Sequence, residues 1–311
     1  MIDVQQLYKL ITIFLYSLFA TYVGVYYITK KSEKFKYVVE DKYKPGNKKI
    51  PTMGGISMLI GILISLALSQ ILSYKEIHIE YLFTFYFIVI IYALYGITDD
   101  LFAFKRRYDK ILVLLVLSFP IASLITNTML FGAELGLVYS LIMAPVYIMV
   151  VANLINVYSG FNGLSMGLSL ILLIAITIKS YMVNGLGNMI YAAPLLGALV
   201  AFYPYNFYPA KLLEGNVGAF LIGSGIGALL IINKLELFGA FILIPHIINF
   251  ILDTWVLAVK KTPDVKFGGV REDGTIIAPE SVKWKSIKYI LCSYFRITEK
   301  HAVLIMYGIT I

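Results

Sequence analysis

Long, nearly uncharged apolar stretches limit what this chain can fold into. The first four are Ile11–Ile28, Met53–Ser73, Tyr81–Ile97 and Ile111–Ile125. Each approaches the roughly 20 residues that a helix needs to cross the hydrocarbon core of a bilayer. Helices are the expected form, because lipid offers no hydrogen-bond partner to an open backbone. The sequence therefore predicts an all-α polytopic membrane protein.

The rest of the chain continues this pattern and predicts about ten transmembrane helices in one membrane-embedded domain, residues 1–311. The chain is 59% hydrophobic and 14% charged, against about 45–50% and about 25% in soluble domains. The predicted spans are 4–29, 53–73, 80–98, 111–127, 135–152, 164–182, 188–204, 217–233, 236–259 and 300–311. The tenth has too few residues to cross a bilayer, so it is either partly inserted or cut short.

The basic residues predict the orientation of the chain. Most of the 26 lysines and arginines fall in alternate loops, namely the first, third, seventh and ninth. Basic loops stay on the cytoplasmic side, so the N-terminus is predicted outside and the polar loops, with any active site, inside. The net charge of +8 then reflects contact with anionic lipid, and we predict no nucleic-acid partner.

The ninth loop, residues 260–299, is the longest. Within it, Asp273-Gly274 lies between apolar and β-branched residues, which predicts a small β-hairpin. An amphipathic helix is expected around Ser281–Tyr294, with Trp284 and Tyr289 at the membrane interface. The single cysteine, Cys292, excludes an intrachain disulfide.

Two adjacent carboxylates, Asp99 and Asp100, close the third predicted span. They repel each other, and the C-terminal end of a helix disfavours anions. A divalent metal or the basic run Lys105–Arg107 could compensate them. The alternative is a solvated acidic cap.

Two further loops on the same side are rich in amides and glycines. Residues 153–163 hold three asparagines and two glycines, which suit a nucleotide base or a metal-bound phosphate. Taken alone, this loop is better explained as an ordinary turn between helices. Glu214–Gly218 opens the eighth span as a helix N-terminus, which is either an anion site or a small-residue packing site.

Together, in this order, these segments resemble the polyprenyl-phosphate N-acetylhexosamine-1-phosphate transferases. Asn153–Leu164 is similar to the N-x-x-N-x-x-x-G-x-N-G-L stretch of the archaeal and eukaryotic UDP-GlcNAc–dolichyl-phosphate branch, and Asn206–Lys211 resembles the same branch. Ile50–Gly55 resembles the bacterial translocases as much. Asp99-Asp100 matches the family's acidic pair, and Lys110 approximates its downstream lysine.

The resemblance implies transfer of GlcNAc-1-phosphate from UDP-GlcNAc to dolichyl or polyprenyl phosphate, with release of UMP and a need for Mg²⁺. This would be the first step of lipid-linked oligosaccharide assembly for glycosylation. An archaeal origin would place the protein in the cell membrane. Another UDP-amino sugar or a bacterial-type polyprenyl acceptor is the alternative within the family. The oligomeric state is open, with a homodimer as one arrangement.

The resemblance also implies roles for individual residues. Asp99 and Asp100 would lie beside the reacting phosphates, Lys110 would hold the lipid phosphate, and Asn156 and Asn216 would ligate Mg²⁺. The implied substrate-binding residues, of which Asn162 would contact the uracil, are Asp41, Lys44, Asn162, Gly163, Asn206, Lys211, Lys266 and Arg271.

The sequence departs from the family at three places. Asn216 stands where the family usually has Asp, and an amide binds a hard cation less tightly than a carboxylate. Ala103 replaces a polar residue of the acidic motif, and Lys266–Arg271 stands where the family has a His-containing triplet. The rival class is a transporter or lipid flippase. Transporters usually place polar groups near the bilayer midplane, whereas these lie at one surface.

Overall fold

The protein is described by a computed structural model. It describes residues 4–31, 37–44, 49–73, 79–103, 107–124, 129–130, 133–258, 268–280 and 283–311. The fold is mostly helical, as the apolar stretches predict. Lys266, one of the predicted substrate-binding residues, lies outside the described residues.

Thirteen α-helices occur in the described part of the chain. The first four are α1 (Val4–Lys30), α2 (Gly55–Ser73), α3 (Ile79–Phe102) and α4 (Arg107–Ser118), which a 3-10 turn, Phe119–Leu124, extends. Next, a π-helical stretch, Tyr139–Met143, joins α5 (Gly136–Val138) to α6 (Ala144–Val157). The remaining helices are α7 (Leu164–Asn184), α8 (Met189–Asn206), α9 (Gly215–Ile232), α10 (Glu236–Ile242), α11 (Ile244–Ala258), α12 (Ile287–Tyr294) and α13 (Glu299–Thr310).

Six helices of the described chain are long and apolar enough to cross a membrane. They are Val4–Lys30, Gly55–Leu72, Glu80–Phe102, Gly136–Val157, Leu164–Asn184 and Gly215–Ile232. Helices α4, α8 and α13 occupy three other predicted spans but are not among the six. The count of about ten spans stays a prediction.

The prediction of one continuous helix over 236–259 is wrong. Helices α10 and α11 meet at a bend of 66° and could form a seventh span only as a broken pair. The break lies at Leu243, two residues before Pro245. Proline has no N–H to donate to the carbonyl of Phe241, so one hydrogen bond of the helical ladder is missing at the bend.

Helix α9 is the central helix of the bundle and is buried along most of its length. It packs between α3 and α6, while α1 packs on α2 and α8 at the outside. The outer face of α1 exposes large apolar and tyrosine side chains. Such a surface is suited to contact with lipid.

Glycines bring α2 and α3 unusually close to the start of α9. A Cβ at Gly55 would lie 2.2 Å from the backbone N of Gly218, and a Cβ at Gly96 would lie 2.5 Å from Cα of Val217. Small residues allow helix backbones to approach in this way inside membranes. The approach at Gly96 carries the C-terminal end of α3, with its two aspartates, to the N-terminal end of α9.

Three short antiparallel pairs complete the described structure. They are β1 (Val38–Glu40) with β2 (Lys49–Pro51), β3 (Met129–Leu130) with β4 (Ala133–Glu134), and β5 (Gly269–Val270) with β6 (Ile276–Ile277). The third pair confirms the predicted hairpin. Its turn places Gly274 at φ +79°, a conformation that glycine adopts without strain.

The amphipathic helix predicted around Ser281–Tyr294 is α12, which begins only at Ile287. The side chain of Ser286 caps it by accepting the N–H of Tyr289 at 3.3 Å. The expectation that Tyr289 lies at the membrane interface is wrong. Tyr289 is buried, with its hydroxyl 3.3 Å from that of Tyr43, because the ninth loop folds back over the end of the bundle.

Candidate active site

A cavity of about 540 Å³ opens at one end of the bundle, where β1, the α6–α7 loop and the start of α9 meet. Five residues that the sequence singled out line it, and they come from four separate parts of the chain: Asp41, Asp100, Asn156, Asn162 and Asn216. The fold therefore gathers acidic and amide side chains that are far apart in the sequence.

The first carboxylate of the acidic pair, Asp99, is buried and pairs with a cation. Its Oδ2 lies 2.7 Å from Nζ of Lys110 and accepts the Nδ2–H of Asn216 at 3.1 Å. Lysine carries three N–H donors, so the ion pair leaves two for another anion. Asp99 thus fixes a lysine beside the cavity.

The second carboxylate, Asp100, closes the N-terminal end of α9. Its Oδ1 accepts the backbone N–H of Asn216 at 2.9 Å, and its Oδ2 accepts that of Val217 at 3.1 Å. A carboxylate is the group that the positive end of a helix favours. The anion site foreseen at Glu214–Gly218 is therefore occupied by the protein's own carboxylate.

The donor atoms around the cavity suit a magnesium ion that binds largely through its substrate. Asn156, Asn216 and Asp100 offer oxygen ligands, and Mg²⁺ in such sites keeps few protein ligands beside phosphates and water. Because the Nδ2 of Asn216 donates to Asp99, its Oδ1 is the atom suited to a cation. Within the described residues, no cluster of three or more His, Cys, Asp or Glu side chains could hold a metal.

Next to the lining residues Asp41 and Asn162, Lys44 contacts three acceptor groups. Its Nζ donates to Asp41 and to Oδ1 of Asn162, and lies 3.3 Å from Oε2 of Glu299. The other oxygen of Glu299 accepts the backbone N–H of Asn162 at 2.6 Å. Burial raises the pKa of Glu299 above its usual value, while Lys44 opposes that change.

The sequence analysis missed both Glu299 and Lys288. Lys288 is buried, and its Nζ donates to the carbonyl of Ser159 at 2.5 Å. Burial lowers the pKa of Lys288 to about 8. A Cβ at Gly160 would lie 2.6 Å from this Nζ. Neither residue had a local signal, because each acts on a loop more than a hundred positions away.

Five of the predicted substrate-binding residues that the structure describes do not line the cavity; one is Lys44, and the other four lie elsewhere. Asn206 is buried and donates to Glu214 at 2.8 Å and to the carbonyl of Leu212 at 3.1 Å, which holds the turn before α9. Lys211 is exposed. Gly163 precedes α7 at φ +79°, and the guanidinium of Arg271 donates to Ile276 within the hairpin.

An apolar helical bundle with acidic, amide and lysine side chains gathered at one end is typical of a membrane-embedded transferase. The model of glycosyl transferase family 4 matches residues 81–234, which include Asp99, Lys110, Asn162 and Asn216. The chain is similar to this family over that part of its length.

Relatives match over most of the chain. A protein of Saccharolobus solfataricus is 29% identical over 308 residues, covering 94% of this chain and 91% of the relative. One of Sulfolobus acidocaldarius is 26% identical over 309 residues, covering 94% and 90%. Both are provisionally named UDP-N-acetylglucosamine–dolichyl-phosphate N-acetylglucosaminephosphotransferase.

A bacterial relative is matched over a smaller part of the chain. The phospho-N-acetylmuramoyl-pentapeptide-transferase of Clostridium kluyveri is 28% identical over 254 residues, covering 74% of this chain and 78% of the relative. The family resemblance drawn from the sequence is confirmed by these comparisons.

Proposed function

We propose that this protein transfers GlcNAc-1-phosphate from UDP-GlcNAc to dolichyl or polyprenyl phosphate. The products are polyprenyl-diphosphate-GlcNAc and UMP. This reaction would be the first step of lipid-linked oligosaccharide assembly. The observation that carries the proposal is the cavity that joins Asp100, Asn156, Asn162 and Asn216 at one end of an apolar bundle. The names of the two archaeal relatives support the choice of sugar and acceptor.

The reaction needs mainly positioning and charge neutralisation. An oxygen of the acceptor phosphate forms a bond to the β-phosphorus of the nucleotide-sugar. The bond from that phosphorus to the bridging oxygen breaks, and the oxygen leaves with UMP. The acceptor is already an anion near neutral pH, so orientation and cationic groups supply most of the acceleration.

Lys110 is the protein cation assigned to the acceptor phosphate. Nζ of Lys110 lies 2.7 Å from Oδ2 of Asp99, and the remaining N–H donors of Lys110 are available to a phosphate oxygen. Within the cavity, Asn162 and Asp41 would contact the nucleotide-sugar. Lys110 is connected to the lining residue Asn216 through Asp99, so the acceptor phosphate would bind next to the nucleotide-sugar.

The residues present also fit a magnesium ion. Asn156 and Asn216 would hold it, with Asp100 nearby and the substrate phosphates completing the set. When bound, the ion neutralises charge on the pyrophosphate and stabilises the departing UMP.

The cavity is assigned to the cytoplasmic side and the N-terminus to the outside. Lys30 at the end of α1, Lys44 and Lys110 belong to the basic loops that the positive-inside bias places in the cytoplasm. UDP-sugar would then arrive from the cytoplasm, and the lipid phosphate would enter from the surrounding bilayer.

The test is direct transfer by purified protein in detergent. UDP-[³H]GlcNAc, dolichyl phosphate and Mg²⁺ are mixed with the protein, and label in the lipid phase is measured together with UMP. An EDTA arm and an Asp99→Asn variant accompany the parent. We expect metal-dependent lipid labelling that the variant loses. Labelling from another UDP-sugar alone would mean that the donor substrate is not UDP-GlcNAc. If folded protein transferred label from no UDP-sugar, the proposed transferase activity would be refuted.

A further inference from the structure

Glu299, the first residue of α13, is buried beneath the nucleotide side of the cavity. It is 1% exposed, and its two oxygens contact two different partners. Oε1 accepts the backbone N–H of Asn162 at 2.6 Å, and Oε2 lies 3.3 Å from Nζ of Lys44. The carboxylate therefore ties α13 to the loop that carries Asn162 and to the segment that carries Lys44.

The hydrogen-bond partners of Asn162 determine the orientation of its side-chain amide. Its Oδ1 accepts from Nζ of Lys44 and from the backbone N–H of Ala210 at 2.9 Å. Both partners can only donate, so the atom facing them must be the amide oxygen. The NH₂ group of Asn162 is then the part of the amide left for the cavity that Asn162 lines.

Glu299 supports this orientation through charge. Lys44 contacts three acceptors, and two of them, Asp41 and Glu299, are carboxylates. Without Glu299, the backbone N–H of Asn162 would lose its acceptor in a buried position, which destabilises this arrangement. Lys44 would also shift towards Asp41, because only that carboxylate would remain.

We infer that Glu299 is a positioning residue that sets the base preference of the site, by holding Asn162 with its NH₂ group towards the base. This inference rests on the proposed function. An NH₂ donor favours a pyrimidine with a carbonyl at its 4-position, which is uracil. Cytosine has an amino group there, so two donors would face each other and one would stay unpaired. Glu299, Asp41 and Lys44 all lie outside residues 81–234 that the family model matches.

The test compares the binding of UDP and CDP to full-length protein in detergent by calorimetry, together with kcat and KM for UDP-GlcNAc. Glu299→Ala removes both contacts, and Glu299→Gln keeps an acceptor for Asn162 but loses the charge towards Lys44. The exposed Glu272→Gln in the hairpin is the matched control.

For Glu299→Ala we expect UDP affinity to fall about tenfold or more, KM to rise accordingly, and the UDP-over-CDP preference to shrink towards one. The expected change in kcat is below about threefold, because the reacting phosphates lie elsewhere in the cavity. For Glu299→Gln, we expect a UDP affinity and a UDP-over-CDP preference between those of the parent and those of Glu299→Ala. Equal losses of UDP affinity, CDP affinity and kcat would mean a purely structural role and would overturn the inference. An unchanged UDP-over-CDP preference would also overturn it.

If Glu299→Ala does not fold, Glu299→Gln decides. A fall in the UDP-over-CDP preference of about threefold or more supports the inference, and an unchanged preference overturns it. Failure of the proposed function looks different, because the parent itself would then neither bind UDP nor transfer label.

Discussion

The carboxylate of Asp100 accepts the backbone N–H of Asn216 at 2.9 Å, so the end of α3 closes the start of α9. The neighbouring Asp99 binds the side chain of Asn216 and the amine of Lys110. The two aspartates therefore have different partners: one stabilises a helix end, and the other holds a cation beside the cavity.

Asp100→Asn should destabilise the protein. Its amide has a single acceptor oxygen, so one of the two backbone N–H groups of α9 loses its partner. Loss of a helix cap costs about 1–2 kcal/mol, which lowers the melting temperature by about 2–4 °C or more. Thermal unfolding in detergent measures this, with the exposed Glu272→Gln as control. A melting temperature equal to that of the parent would contradict the capping role.

Lys110→Ala should slow transfer by roughly 10²–10³-fold, the effect of losing one transition-state donor. The matched control is Lys179→Ala, because Lys179 lies on α7 beside the ring of Phe238 and not at the cavity. Lipid labelling by equal amounts of folded protein measures the effect. Near-normal turnover by Lys110→Ala would show that Lys110 does not bind the acceptor phosphate.

Asn216→Asp should make the folded state more dependent on Mg²⁺. The new carboxylate replaces a donor that lies 3.1 Å from Asp99 and repels it when no metal is present. A carboxylate also binds Mg²⁺ more tightly than an amide does. We expect the variant to melt below the parent in EDTA and to gain more stability from added Mg²⁺. Identical Mg²⁺ responses would argue against a metal at this position.

Gly55→Ala should destabilise the bundle, because the added Cβ would lie 2.2 Å from the backbone N of Gly218. Overpacking of this kind costs about 1–3 kcal/mol. Gly308→Ala on α13 is the control, because nothing lies within 4 Å of its Cβ position. Comparison of the two melting temperatures tests the contact, and equal values would show that α2 and α9 are further apart.

Cys292 should react slowly with iodoacetamide until the protein unfolds. Burial raises the pKa of its thiol from 9.0 to about 11, so near neutral pH the reactive thiolate is about 100-fold scarcer than in unfolded chain. The thiol holds its proton more tightly when folded, so its stabilising contribution is complete below pH 9 and is lost as the pH rises towards 11. Mass spectrometry of native and SDS-treated samples follows the labelling. Equal rates would show that α12 does not bury Cys292 against the end of the bundle.

Local signals explain what the sequence could predict about the fold. The helices could be predicted from the apolar stretches, because length and hydropathy are properties of adjacent residues. The hairpin could be predicted from Asp273-Gly274 for the same reason. The bend between α10 and α11 was missed although Pro245 signals it, because the apolar pattern alone was followed through the proline. The buried position of Tyr289 depends on Tyr43, which no local pattern reveals.

The candidate site was predictable only where residue types are informative by themselves. The acidic pair and the asparagine loop could be singled out, and the structure brings Asp100, Asn156 and Asn162 to one cavity. Their roles in catalysis stay predictions. Glu299 could not be found, because its partners Asn162 and Lys44 become neighbours only when the chain has folded.

The contact between Glu299 and Asn162 also constrains the order of events during synthesis. Asn162 and its cavity wall leave the ribosome 137 residues before their buried carboxylate partner does. Most helices of the bundle can therefore enter the membrane while the cavity wall that carries Asn162 is still incomplete. Insertion of the earlier helices and completion of this cavity wall are thus separate stages, and the second waits for α13 to dock.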